Sequence, residues 1–506
     1  VYRLTASDLR RMGFNDPSRV KLYGYGGHVQ DEVIDADTDF DDLEEVPLYR
    51  DERGLLFFGK GLISWSATDR RGRATHRVNT FAKQACYFLT EGDSPRTIEK
   101  AAVSGSPQKN LDYTPANVLY KKEEYAWYQS GRNFYESANY ASSNSRTYQL
   151  PVVDPVASAG GSLKVSFTAH TTKDEGDSYV TPTVDGVKLS AMRISWSGEY
   201  DAAKEGTQTY TLNTLHEGTT GTQVTLVSTA GVDGRLGYLE LCYRRQLKMR
   251  DAFLYIRHTE TVPSNFVIDA NGRSGLKLWC LGRRGNPMTE YQGTWSGSTY
   301  TVPVSDPTVE YVAVDVNADF PSPSYIGEVA NQNLHATPAT DMVIIIPASG
   351  KLYAQAERLA EAHRSVDGLR VQIVRADQIY NEFSSGTPDA TAYRRFMKML
   401  YDRAATDADM PRYLLLFGDG MWDNRMITAD TRGLNPDDYL LCYESENSLS
   451  HTSSFLMEDY FGLLDDGEGD NLMKNKIDLG IGRFPVTTEA EAKILVDKTV
   501  DYMENK

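Results

Sequence analysis

Cysteine is scarce. The 506 residues hold four, Cys86, Cys242, Cys280 and Cys442, and none forms a CxxC or CxxH pair. That spacing excludes a zinc knuckle and a disulfide-knit scaffold. Cys242 in YLELCYRR and Cys280 in LKLWCLG sit in strand-like apolar runs, where inert buried thiols are expected. Long apolar runs are missing as well. No stretch approaches about 18 uninterrupted apolar residues, so no membrane span is expected. The opening VYRLTASDLRRMGF lacks an apolar segment with a small-residue cleavage site. In an exported protein, the signal peptide would therefore already have been removed or left out. Basic charge is in deficit: 53 Lys and Arg face 70 Asp and Glu, a net charge of −17. A nucleic-acid backbone needs clustered cations, so that class of partner is excluded. The short basic runs DRRGRATHR and YRRQLKMR have acids spread around them and read as solvated surface.

What the chain does have is a change of texture near residue 338. Before it come short alternating apolar runs, such as RVKLYGYGG, GLLFFGKG, SLKVSFTAHT, QVTLVSTAG and YVAVDVNADF, punctuated by Gly, Pro, Asn, Asp and Ser. Period-2 alternation between frequent turns predicts strands, and many in series predict sandwiches or jelly-roll-like barrels. Domain-size priors divide this part into a β-rich unit over 1–145 and a sandwich-like unit over 146–337. The 31 tyrosines, 40 glycines and Ser/Thr-rich strands suit an exported β-protein. Trp196 and Tyr200 fall in a polar stretch of the second unit, where they cover a sandwich edge or stack on sugars.

From 338 to 506 the pattern alternates α and β. DMVIIIP is a buried strand, and KLYAQAERLAEAHRSVDG a helix with Leu352, Ala356, Leu359, Ala360 and His363 on one face and Gly368 as its stop. His363 reads as a packed or boundary residue. LRVQIVRA is a second strand, TPDATAYRRFMKMLYDRAA a second helix, and PRYLLLFGDG a third strand. KIDLGIGRFPV and TEAEAKILVDKTVDYMENK add a strand and a helix capped by Thr488. Short links between such elements predict a parallel sheet with right-handed crossovers. Ligands bind such sheets at the carboxyl ends of the strands, which places Asp419 of the Gly-Asp-Gly turn on the functional edge. No GxGxxG follows the first of these strands and no GxxxxGK[ST] occurs, so a nucleotide cradle is not indicated.

Two further clusters carry chemistry. In FLMEDYFGLLDDGEGDN, Glu458 and Asp459 precede an aromatic pair, and Asp465, Asp466, Glu468 and Asp470 crowd a Gly-containing turn. Hard oxygen ligands on a flexible turn suit calcium, although the spacing is not that of an EF-hand and a solvated turn needs no metal. No other cofactor is called for. Cys442 and His451, nine residues apart, are the one local pair able to form a nucleophile and base, if a third group orients the imidazole.

The stretches MVIIIP, DGLRVQIVRADQI, TAYRRFMKMLYD, RYLLLFGDG, EDYFGLLDD and IDLGIGRFPVTTEAEAKILVDKTVDYME follow in an order and spacing that resembles the first half of the catalytic region of gingipain-type cysteine peptidases. The segments KLYGYGG, DDLEEVPL, LLFFGKG and THRVNTFAKQACYFLTEGD resemble the opening of a sortase branch of that family, which serves type IX secretion. The resemblance implies a caspase-like α/β subdomain and a location outside the cell or on the outer-membrane surface. It implies protein or peptide substrates, the C-terminal signals of secreted cargo among them, and other secretion-system components as partners. It also implies that Glu458 or Asp459 contributes an acid to the substrate pocket, with Asp419 on its rim. The family's catalytic Cys and His lie in a second α/β subdomain after a Gly-His-Gly-like turn. No His-Gly dipeptide occurs here and no cysteine matches the nucleophile, so both groups are expected beyond residue 506, and this chain alone is expected to be inactive. The alternative is a non-catalytic surface protein that binds glycan or protein through its β-domains.

Overall fold

The architecture comes from a computed structural model that describes residues 1–35, 42–66, 73–282, 287–305 and 309–504. Part of the basic run DRRGRATHR, residues 69–72, and Lys506 lie outside the described residues. The chain is multidomain, with β-rich units followed by a parallel α/β half.

The strands do not pair along the 145/146 boundary expected from texture. Tyr113–Tyr120 pairs with Asp233–Gln246, which continues through Gly161–His170 to Lys204–Leu212. A second sheet, built on Ser145–Val152, Gly218–Ser228 and Ser178–Val184, covers it. Leu163, Val165, Phe167, Leu226 and Leu239 are buried between them, the alternation that a half-buried antiparallel strand imposes. A separate sandwich forms from Phe253–Arg257 to Glu310–Asp315. It recruits Glu99–Lys100 and Lys109–Leu111 from the preceding region as parallel edge strands. So the expected 146–337 unit is two sandwiches, and each borrows strand from before residue 145. Turn spacing hides this, because sequence texture reports where strands are and not which partners they take. The first 91 residues make small sheets around Leu4, Leu9, Val20, Leu22 and Leu55.

In the α/β half, Met342–Ile346 (β1), Tyr353–Val366 (α1), Val371–Arg375 (β2), Ala376–Phe383 (α2), Thr391–Asp402 (α3), Tyr413–Phe417 (β3), Gly480–Phe484 (β4) and Glu489–Met503 (α4) follow in order. The strands lie parallel as β2-β1-β3-β4. Ile344 and Ile346 of β1 face α1 and α4, where Ala356, Leu359, Ala492 and Val496 are buried. Val343 and Ile345 face α2 and α3, against Ile379, Phe396 and Met397. Burial on both faces explains the unbroken apolar run of β1. Helix α2 has no counterpart in the sequence reading; it starts directly at the end of β2, leaving no turn residue to announce it. Thr488 caps α4 with Glu491 in a reciprocal capping box, and Gly368, at φ +67°, follows the end of α1. His363 sits at the edge of the helix face, its Nδ1 2.7 Å from Asp367.

Candidate functional site

The order 2-1-3-4 reverses direction between β1 and β3, and the crevice of such a sheet opens at the carboxyl ends of those strands. Gly418, Asp419 and Gly420 stand there. Each glycine is required by close packing. A Cβ at Gly418 would lie 2.7 Å from Pro347, which follows β1, and one at Gly420 would lie 2.2 Å from the Cys442 sulfur. The run therefore ends in Gly-Asp-Gly because two neighbours press against its backbone. Asp419 is half-buried, and one carboxylate oxygen accepts from the Gly420 amide at 2.9 Å. The chain then forms a rim loop, residues 420–457, which runs beside the sheet edge before Glu458–Gly462.

Arg483, from the Gly-Arg-Phe-Pro end of β4, holds this rim together. Its Nε donates to Glu458 at 2.8 Å, Nη1 to the Gly418 carbonyl at 2.9 Å and Nη2 to the Leu441 carbonyl at 3.3 Å. Glu458 is thus neutralised by a cation of its own chain, and its other carboxylate oxygen is buried without a hydrogen bond. Asp459, next to it, is exposed. The expected pocket acid therefore divides into a committed Glu458 and a solvent-facing Asp459.

Cys442 does not meet His451 as a dyad. The thiol is buried, and the charged groups that bear on it are Arg483, Glu458, Glu444 and Asp419. Burial pushes it up to about 12, against the pull of Arg483. His451 lies exposed, its ring stacked on Tyr128 at 4.6 Å. Cys242 and Cys280 are buried in the β-units, and burial raises the half-buried Cys86 as well. A reactive thiol needs a thiolate and access: burial denies access at Cys242, Cys280 and Cys442, and opposes the thiolate at Cys86 and Cys442.

The acidic turn is organised by cations from α3. Lys398 Nζ reaches Asp466 at 2.7 Å and the Leu464 carbonyl at 2.9 Å, while Tyr401 donates to Asp465 at 3.1 Å. Fully buried Arg394 donates to the carbonyls of Leu463, Glu468 and Glu32. Glu468 accepts from the Lys476 amide, and Asp470 is exposed. Among the described residues no group of three or more His, Cys, Asp or Glu is placed to hold a metal ion. Asp465, Asp466 and Glu468 thus each accept from a different donor.

The rim loop holds functional groups that sequence reading missed. Asp423, fully buried, accepts from Ile427 N, Thr428 N and Thr431 Oγ1. Asn424 bonds both backbone groups of Cys442 and donates to Glu444 at 3.3 Å. Glu444 is 2% exposed, and burial, reinforced by Asp423 and opposed by Arg132, pushes its carboxyl up to about 8. Its signal in the sequence is a lone acid between Tyr443 and a polar turn, too common to single out.

Residues 335–506 match the model of Peptidase family C25. The α/β half is of the gingipain type. A crystal structure of dimeric latent PorU from Porphyromonas gingivalis superimposes with a TM-score of 0.86 at 29% identity, over 99% of this chain. This chain spans 48% of that one. The β-rich units followed by a caspase-like part are therefore PorU-like in arrangement. A family 35 carbohydrate-binding module from Clostridium thermocellum aligns with 25% of the chain at 16% identity and a TM-score of 0.17, too low to bear on function. No curated protein matches in sequence.

Proposed function

We propose that residues 1–506 form the N-terminal part of a secreted or surface gingipain-type cysteine endopeptidase of the PorU-like sortase kind. In this reading the whole protein removes the C-terminal signal of type IX cargo and joins the cargo to surface lipopolysaccharide. The observation that carries it is the parallel sheet with its Gly-Asp-Gly rim in a region that matches family C25, within a PorU-like chain. The chemistry is attack of a thiolate on the scissile carbonyl, a thioester intermediate, and its release to an amine or water. Because the four thiols here are buried or raised by burial, the nucleophile comes from outside these residues. This half supplies the floor and rim: Arg483 fixes Gly418, Leu441 and Glu458 in one register. With Glu458 already paired, a basic substrate side chain would have to turn to Asp459.

The test is incubation of the natural full-length protein with a cargo protein that carries its C-terminal signal, with and without iodoacetamide. Thiol-dependent loss of the signal, unchanged in Cys442→Ala, is expected; residues 1–506 alone should show none. Signal removal that survives iodoacetamide would end the cysteine-peptidase reading. Inert full-length protein that still retains glycan or protein ligands would favour the binding-protein alternative.

A further inference from the structure

Residues 121–137, which leave the first sandwich as an arm, lie along the rim loop. Arg132 N donates to the Ser445 carbonyl at 3.1 Å, Asn133 Nδ2 to the Glu446 carbonyl at 2.7 Å, and Ser448 Oγ to the Asn133 carbonyl at 2.6 Å. Gly131, at φ +80°, comes so close to Asn447 that a Cβ would lie 2.1 Å from its carbonyl oxygen. At one end Arg425 of the loop pairs with Glu123 of the arm at 2.6 Å; at the other, Tyr128 stacks on His451. Beneath the arm sits Glu444, with one carboxyl oxygen on Asn424 and the other buried without a hydrogen bond.

We propose that the arm and the rim loop form a proton-gated clamp, in which the arm seats only while the Glu444 carboxyl is neutral. A charged carboxylate in that place would be buried with one oxygen unsolvated, and close to Asp423, which also keeps an oxygen without a partner. The groups facing Glu444 are Asp423 and Asn424 of the loop, and Arg132 with the Gly131 amide of the arm. Arg132 and the Gly131 amide favour the ionised form, but the Arg132 charge is already shared with Glu32 of the N-terminal unit and with Glu446. Burial and Asp423 prevail and hold the group up to about 8, against an ordinary 4.5. With the arm lifted, water reaches the carboxyl and its ordinary acidity returns. The seated state therefore binds the extra proton, and seating weakens as pH rises from about 4.5 to about 8, then levels off. The loop so released carries Cys442 and Asn424 beside the Gly-Asp-Gly rim. Control of the substrate site thus rests on the functional reading above, whereas the clamp itself does not.

Hydrogen exchange in the full-length protein tests the clamp without any substrate. Peptides covering 121–137 and 443–452 are followed from about pH 5 to 9, corrected for intrinsic exchange. Opening should increase by up to about tenfold per pH unit below about 8 in the wild type and stay flat in Glu444→Gln. His451→Gln, which removes the histidine stacked on Tyr128 of the arm, should keep the wild-type slope. A flat wild-type profile, or a slope unchanged in Glu444→Gln, overturns the proposal. Should Glu444→Gln fail to fold, infrared difference spectra of the wild type decide: loss of a protonated-carboxyl band between about pH 7 and 9 supports the clamp, and its absence overturns it. Should the exchange result hold while cargo processing shows no matching pH dependence, the clamp stands and its control of the site falls.

Discussion

At the scale of single residues, the account turns on side chains that join distant segments. Arg483 is the clearest case, since its three donors reach Gly418 at the end of β3, the rim loop and Glu458. Replacing it by Met orphans two carbonyls and a carboxylate. Because the Glu458 side chain keeps 27% exposure, the expected loss is about 3 kcal/mol, at the low end for breaking a buried pair. Urea unfolding of Arg483→Met measures it, and Arg483→Met/Glu458→Met should recover part of the loss. If the two losses simply add, the pair is not the link described. Residues of this kind were only partly legible. Asp419 stands out in the sequence by its place at a strand end. Arg483 does not, because an Arg after a glycine in a strand reads as surface until the strand order shows what lies across from it.

At the scale of elements, the strands and helices of the α/β half, α2 excepted, follow from periodicity and capping, because each buries its own apolar face against its chain neighbours. The β-units do not, since their pairings join residues far apart, such as Tyr113 with Gln246 or Lys109 with Ser264. The arm over 121–137 was equally invisible, having little regular structure of its own. Its seat depends on backbone proximity at Gly131. Gly131→Ala must both accept a positive φ and displace the Asn447 carbonyl, a cost of about 1–3 kcal/mol. Limited proteolysis should then cut within 121–137 at a rate raised about five- to a hundredfold, while the core of the sandwich resists. An unchanged rate would show that the arm is not held at this point.

At the scale of the whole molecule, the arm meets the α/β half through two carboxyl groups with opposite responses to pH. Burial alone would raise Glu123, but Lys121 and Arg425 outweigh it and hold the carboxyl at about 2. Its contribution is complete above about 4.5 and is lost as pH falls towards 2. Glu444 acts the other way, weakening the contact from about 4.5 upwards. Proteolytic resistance of the arm should therefore peak near pH 4.5–5 and fall on both sides, and Glu123→Gln should remove the acidic limb alone. Loss of both limbs in that variant would mean that the two groups are one coupled system.

The central claim is that this chain supplies the rim of a thiol site and that the thiol comes from elsewhere in the protein. Its most direct test is to label the natural full-length protein with an iodoacetamide probe under native conditions, digest it and map the modified cysteine against residual activity. The account predicts that the inactivating label falls outside residues 1–506, with Cys442 modified only after unfolding. Inactivation that tracks native labelling of Cys442 would contradict it.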